Sequence, residues 1–186
     1  MNPRRSAAAL AAVMLLVACS SDSTPATTPS PITLVAYDSF PTKDTPLNDA
    51  LAAFTTSTGI KVNIVIAGDA GTMVTKAALT AGKPEGDVMW GVDNTLLSAA
   101  TDGKIFDGDP TQVDFGDVCV NYDIAWFTDH SIAPPTTLDD LLKPDYKDLL
   151  VVENPASSSP GLAFLLATVA NSGEDGWQQY WTDLRA

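Results

Sequence analysis

The sequence predicts an α/β fold in which helices cover a parallel sheet. Three observations carry this. Short β-rich runs alternate with segments whose apolar residues recur at helical spacing. Gly or a capping residue marks most of the boundaries between them. Apolar residues make up 45% of the 186, enough to build the core that such a sheet needs.

Residues 32–37 form the first β-rich run. Thr45-Pro46 reads as an N-cap followed by Pro at the first helical position; Leu47, Leu51 and Phe54 follow at helical spacing, and Gly59 marks the stop. Residues 60–66 alternate as a strand. The turn Ala67-Gly68-Asp69-Ala70-Gly71-Thr72 leads into a helix over 73–81, closed by Gly82. Residues 87–92 are a short apolar strand, and Asp93-Asn94 caps a helix over 95–101 that Gly103 closes. In open parallel sheets ligands bind beyond the carboxyl ends of the strands. The turns at those ends hold Asp38, Asp69 and Asp93, so three carboxylates are expected along one edge of one sheet. Each is read either as a helix cap or as part of a binding site.

Residues 104–117 read as loop, with Gly108, Pro110 and Gly116. Residues 118–128 are a long strand-like run, able to pass from one lobe to another, and residues 149–153 are strand-like again. Between them LDDLL, after Thr136-Thr137, reads as a short capped helix. Ser159 is the expected N-cap of the apolar run that follows, with Pro160 in its first turn. Such a helix start offers free amides to an anion, or is simply a capped core helix. Residues 174–184 read as an amphipathic helix. A second lobe is thus opened without a full set of strands, so either the chain is part of a longer protein or the two-lobe reading does not hold.

The formal charge is −13, from 10 basic and 23 acidic residues. A surface that acidic repels phosphate backbones, which excludes a nucleic-acid partner, and suits either a cationic ligand or solubility alone. Residues 1–19 show a basic start, an apolar run and then small residues, the pattern of an export leader, too short and Ala-rich for a good membrane span. Leu16-Val17-Ala18-Cys19 resembles a bacterial lipobox, which implies cleavage before Cys19 and lipid on that residue. Residues 20–30, polar and Pro-rich, are expected to be a disordered tether. Cys119 is then left alone, read as an inert core thiol. With His130 as the one His, expected at the surface, no metal site or cofactor is predicted. Ser157–Ser159 lack a Gly-X-Ser-X-Gly elbow and have only His130 as an imidazole base, so no enzyme is expected.

Tyr37-Asp38-Ser39-Phe40, the stretch Asp87-Val88-Met89-Trp90-Gly91-Val92-Asp93-Asn94-Thr95-Leu96-Leu97, and the run from Asn154-Pro155 through Ser158-Ser159-Pro160-Gly161-Leu162 occur in an order that resembles the periplasmic thiamine-binding proteins of ABC importers. The similarity covers residues 31–186. It implies a type II periplasmic-binding-protein fold, two α/β lobes with a ligand in the cleft between them. Residues 31–117 would be lobe one, 118–128 a crossing strand or hinge, and 129–186 the start of an incomplete lobe two.

The resemblance also implies sites and partners. The family's acidic-glycine turn falls near Asp69-Ala70-Gly71; its Asp-Gly pair aligns with Ala70-Gly71, and Asp69 stands one place earlier. The family's hydroxyl pair falls on Ser158 and Ser159, and most of its ring-stacking aromatics lie beyond Ala186. A carboxylate such as Asp69 suits the fixed positive charge of a thiazolium ring. Tyr37 or Tyr122 would add cation–π attraction. Ser158, Ser159 and the helix after them would receive a phosphate if the ligand carries one. The implied partners are thiamine or a thiamine phosphate, a membrane permease with its ATPase, and the membrane itself through the lipid on Cys19, with the receptor a monomer outside the cytoplasm. Related proteins of this fold take polyamines or ferric iron, and a polyamine suits the same acidic balance. A non-functional fragment is the remaining reading.

Overall fold

The computed structural model describes residues 29–186. The leader, Cys19 and residues 20–28 of the tether lie outside the described residues.

Three strands form one parallel sheet: β1 (Ile32–Ala36), β2 (Val62–Ile66) and β3 (Val88–Trp90), in the order β2-β1-β3. β1 is the centre. Leu34 stands opposite Ile64 on one side and Val88 on the other, and Ala36 opposite Ile66 and Trp90. Because successive strand residues point to opposite faces, β1 feeds two cores. Leu34 and Ala36 pack with Phe40, Leu47 and Ile64; Val35 packs with Met73, Ala67 and Met89 on the other face.

The connections follow from this. Helix α1 (Pro46–Thr58) brings Leu47 to the first face, and α2 (Ala70–Leu79) brings Met73 to the second. Stepping first to one side of β1 and then back across it puts the two crossover helices on opposite faces when both are right-handed. Thr45 starts α1, its backbone N–H and its hydroxyl both donating to Asn48 Oδ1 at 3.1 and 2.7 Å, and Gly59 ends it in the left-handed region at φ 74°. Helix α3 (Leu97–Asp102) packs against α2. All three expected strands and the helices between them are therefore present, and the carboxyl ends of the strands share one edge.

The later half departs from expectation in four places. Residues 118–128 are not a strand: 118–123 make no ladder, and α4 (Ile124–Asp129) begins at Asp123, whose carboxylate accepts the Trp126 N–H at 3.0 Å. A strand is a pairing, and an Asp positioned to cap wins where no pairing partner is offered. Residues 149–153 are likewise without a ladder, and Val151 is 91% exposed. The LDDLL segment forms a 3₁₀ turn at Asp139–Leu142, followed by a second at Pro144–Tyr146. Cys119 is an exposed free thiol rather than a core one, because the run that holds it is not packed.

The C-terminal helices α5 (Ser159–Ser172) and α6 (Trp177–Leu184) pack on each other, and α6 packs on the first 3₁₀ turn. Three polar anchors fix this unit. Trp181 Nε1 donates to the fully buried Thr168 Oγ1 at 2.8 Å, Tyr180 Oη to the Leu138 carbonyl at 2.8 Å, and Tyr146 Oη to the Ala133 carbonyl at 2.7 Å. Each satisfies a polar atom that burial would otherwise leave unpaired.

Candidate functional site

The loops at the carboxyl edge of the sheet are tied to one another by the backbone. The Asp38 N–H donates to the Gly68 carbonyl at 2.9 Å, and the Ala67 N–H to the Ala36 carbonyl at 2.9 Å. This holds the turn after β1 against the turn after β2. Tyr37 leans across Gly91, where a Cβ would stand 2.1 Å from the ring, and Gly91 has φ 111°. Only a glycine permits both the backbone conformation and the approach. Tyr37 then meets Phe40 edge-on at 6.3 Å, and Phe40 meets Trp90 at 5.9 Å. The edge thus has an aromatic floor with the exposed Asp38 beside it.

Asp69 is the N-cap of α2. Its carboxylate accepts the Thr72 N–H at 3.1 Å. The Ser157 side chain beside it, and then Thr72, hold its carboxyl below the usual 3.8, against the opposing effect of burial. It is therefore an anion at neutral pH. Ala70 and Gly71 are buried at the first turn of α2.

The turn after β2 meets a segment far away in sequence. The Gly71 N–H donates to the Ser157 carbonyl at 2.7 Å, and a Cβ on Gly71 would lie 2.7 Å from that oxygen and 2.9 Å from Ser157 Cα. The backbone of the serine loop therefore rests directly on Gly71. That loop is shaped by Asn154, whose carbonyl accepts from Ser157 N and Ser158 N at 3.1 and 2.9 Å and whose side chain accepts from Ala156 N at 3.0 Å. Helix α5 then starts from Ser158, which accepts the Gly161 N–H at 3.1 Å on its hydroxyl and donates its own proton to the Glu153 carboxylate. Ser158, not Ser159, is the N-cap, and Pro160 is the second helical residue.

The expected residues therefore divide. Asp69, Ala70 and Gly71 come together with Ser157 and, through it, with the start of α5 that Ser158 and Ser159 form. Asp38 lies on the adjoining turn. Asp93 does not cap α3, whose N-cap is Leu96; it closes the turn before the helix, one of its oxygens accepting from Thr95 N at 3.0 Å, Thr95 Oγ1 at 2.7 Å and Leu96 N at 3.2 Å. Tyr122 belongs elsewhere. It stacks edge-on with Phe127 at 5.4 Å on an apolar cavity of about 260 Å³ shared with Trp126, Tyr146 and Leu149. A further cavity, of about 320 Å³, lies between the end of α2, the start of β3 and residues 104–107, and holds none of the site residues. His130 is exposed and stacks on Trp126 at 3.9 Å. Among the described residues no three of His, Cys, Asp and Glu gather closely enough to hold a metal ion.

Sequence reasoning missed Ser157 as the contact to Gly71, and Glu153 as the partner of Ser158. Ser157 was visible only as one of three adjacent serines, and Glu153 only as the end of an apolar run.

Chemically, this edge offers carboxylates, an aromatic surface and a hydroxyl-rich loop. It suits a small cation with an aromatic ring and hydrogen-bonding groups. Residues 60–186 match the family model described as bacterial extracellular solute-binding protein. The chain is similar to the thiamine-binding periplasmic protein of Salmonella typhimurium, with 28% identity over 181 residues, 89% of this chain and 54% of that protein. It is 26% identical over 164 residues to the thiamine-binding periplasmic proteins of Brucella abortus and Escherichia coli, in each case 80% of this chain and 49% and 50% of theirs. The chain spans about half the length of the curated relatives it matches. The match over residues 60–186, on a parallel sheet covered by helices, leads to one conclusion: this chain belongs to the bacterial extracellular solute-binding protein family.

Proposed function

We propose that this chain is the thiamine-recognising N-terminal part of an extracytoplasmic receptor that delivers thiamine, free or phosphorylated, to an ABC import permease and its ATPase. The observation that carries the reading is the seating of the Ser157 backbone on Gly71. It gathers the anionic Asp69 and the serine loop into one cluster beyond the carboxyl end of β2. The names of the relatives support the choice of ligand.

In this reading residues 31–117 are lobe one, 118–128 carry the chain across, and 129–186 begin lobe two. The cleft runs along the Gly71–Ser157 contact. The most extensive contacts between elements divide in a way that supports it: the strands with one another and α2 with α3 on one side, α5, α6 and the 3₁₀ turns on the other. The thiazolium ring carries a permanent positive charge, so Asp69 holds it without any proton transfer. Asp38 adds to the negative potential of the edge. Tyr37 supplies a ring face within reach of the same edge, a contact worth about 0.5–2 kcal/mol when desolvated. The protein acts by binding and release, with no bond made or broken. Cys19 carries the lipid that holds the receptor at the membrane, as a monomer.

Titration calorimetry of the full-length receptor that contains this chain, with thiamine, thiamine monophosphate and spermidine, tests this. Heat with thiamine or its monophosphate at micromolar concentration or below is the expected result. Binding of spermidine with no heat from either thiamine form would replace the reading with that of a polyamine receptor.

A further inference from the structure

We propose that Gly91 is a positioning residue for the ligand: its missing Cβ seats the Tyr37 ring at the carboxyl edge of the sheet, and that seat gives the receptor its preference for a ligand with a cationic ring. The inference rests on the functional reading above and deepens it.

Tyr37 is the first residue after β1. Its carbonyl accepts the Phe40 N–H at 3.0 Å, which closes a turn with Asp38 and Ser39 exposed at its tip. Phe40 turns back against the sheet and is buried. The Tyr37 ring stays half-buried and packs against both cores, the one around Leu34 and Phe40 and the one around Val35 and Met73. It thus lies across the end of the sheet instead of on one face. Tyr146 and Tyr180 each tie their hydroxyl to a backbone carbonyl, whereas the Tyr37 hydroxyl makes no such bond among the described residues. Packing alone therefore sets the direction of this ring.

Gly91 supplies one wall of that packing. Strict alternation along β3 would return Val92 to the face of Trp90, yet Trp90 packs on the first core and Val92 on the second. Gly91 makes the change of face at φ 111°, a backbone conformation that residues with a Cβ rarely adopt. The same residue leaves the space that the ring fills. A Cβ there would stand 2.1 Å from Tyr37 Cδ1, 2.6 Å from Cε1 and 3.2 Å from Cγ, so one whole edge of the ring rests where a side chain would begin. A ring held in this way before the ligand arrives loses little freedom on binding. Its face attracts a cation beyond what it offers a neutral ring.

The test is a double-substitution cycle at Gly91 and Tyr37 in the full-length receptor that contains this chain: Gly91→Ala, Tyr37→Ala and the pair. Calorimetry with thiamine and with a neutral pyrimidine analogue lacking the thiazolium reads affinity, and thermal melts read folding. Gly91→Ala should weaken thiamine about tenfold, as a displaced cation–π contact implies, and the neutral analogue about twofold or less. Tyr37→Ala should do the same. In the pair the added methyl enters space that the ring has left. The pair should therefore melt above Gly91→Ala and bind thiamine within about twofold of Tyr37→Ala. That last comparison holds even where Gly91→Ala by itself does not fold. A merely structural role for Gly91 would weaken both ligands by one factor. Such equal losses, unchanged thiamine binding in Gly91→Ala, a pair that melts no higher than Gly91→Ala, or a further tenfold loss in the pair would each overturn the proposal and leave the receptor reading standing. An unsubstituted receptor that binds neither ligand would remove the receptor reading, and the proposal with it.

Discussion

Replacing Gly71 by Ala probes the contact on which the site depends. Gly71 is the second residue of α2, so in a free helix an Ala there would stabilise by up to about 1 kcal/mol. The fold reverses that sign. The added Cβ would stand 2.7 Å from the Ser157 carbonyl oxygen, 2.9 Å from its Cα and 3.0 Å from its carbonyl carbon, all backbone atoms that cannot rotate aside. Relief needs the serine loop to withdraw by roughly half an ångström or more. That stretches the 2.7 Å hydrogen bond from the Gly71 N–H, which is worth about 0.5–1.5 kcal/mol. Overpacking of this kind costs about 1–3 kcal/mol. The net expectation is a loss of about 1–3 kcal/mol in urea unfolding followed by circular dichroism. Thiamine affinity should drop about tenfold or more, because Asp69 and the serine loop would no longer be held at one spacing. A variant that gains stability and binds thiamine as before would show that the loop does not rest on Gly71, and the argument for a shared site would fail.

Two further outcomes follow from the same geometry. Asp69→Asn keeps a cap for Thr72 but removes the charge, so it should weaken thiamine more than a neutral pyrimidine analogue lacking the thiazolium; equal losses by calorimetry would mean that Asp69 does not face the ring cation. Asp140 accepts from Thr136 N, Thr136 Oγ1 and Thr137 N at 2.8–3.0 Å and pairs with Lys143, which holds its carboxyl far below the ordinary 3.8. A depressed carboxylate stabilises the fold above its ordinary range and loses that contribution as pH falls through its lowered value. Stability should therefore be flat from pH 8 to 5 and decline below about pH 4, less steeply in Asp140→Asn; identical slopes in pH-dependent melts would contradict this assignment.

The legibility of the fold differs between its two ends for a physical reason. β1, β2 and β3 were readable because each run finds its hydrogen-bonding partner within the described residues, and the alternation of Leu34, Val35 and Ala36 already splits two faces. Residues 118–122 and 149–153 carry equal β-propensity but make no ladder, since propensity describes fitness for a sheet and not the presence of a neighbour. Asp69 was legible as a cap or a site residue and is the cap of α2, because both uses need the same carboxylate at a helix start.

Placing the cap of α5 one residue late has a similar cause. Ser158 and Ser159 are equivalent in a one-dimensional reading, and Pro160 fits either first-turn position. The choice falls on Ser158 through the Asn154 turn and the Glu153 carboxylate. The meeting of Gly71 with Ser157 is a tertiary contact between distant segments, and no local pattern encodes it. Tyr122 suited a ring-stacking role by residue type alone; its packing with Phe127 and Trp126 places it on a separate apolar cavity.

If the turn after β2 and the start of α5 form one thiamine site, amide ¹H–¹⁵N correlation spectra of the full-length receptor, recorded through a thiamine titration, show it most directly. The amides of Asp69, Ala70 and Gly71 and those of Ser157, Ser158, Ser159 and Gly161 should shift together along one binding curve. Shifts confined to one of the two segments, or centred on the Tyr122 cavity, would contradict it.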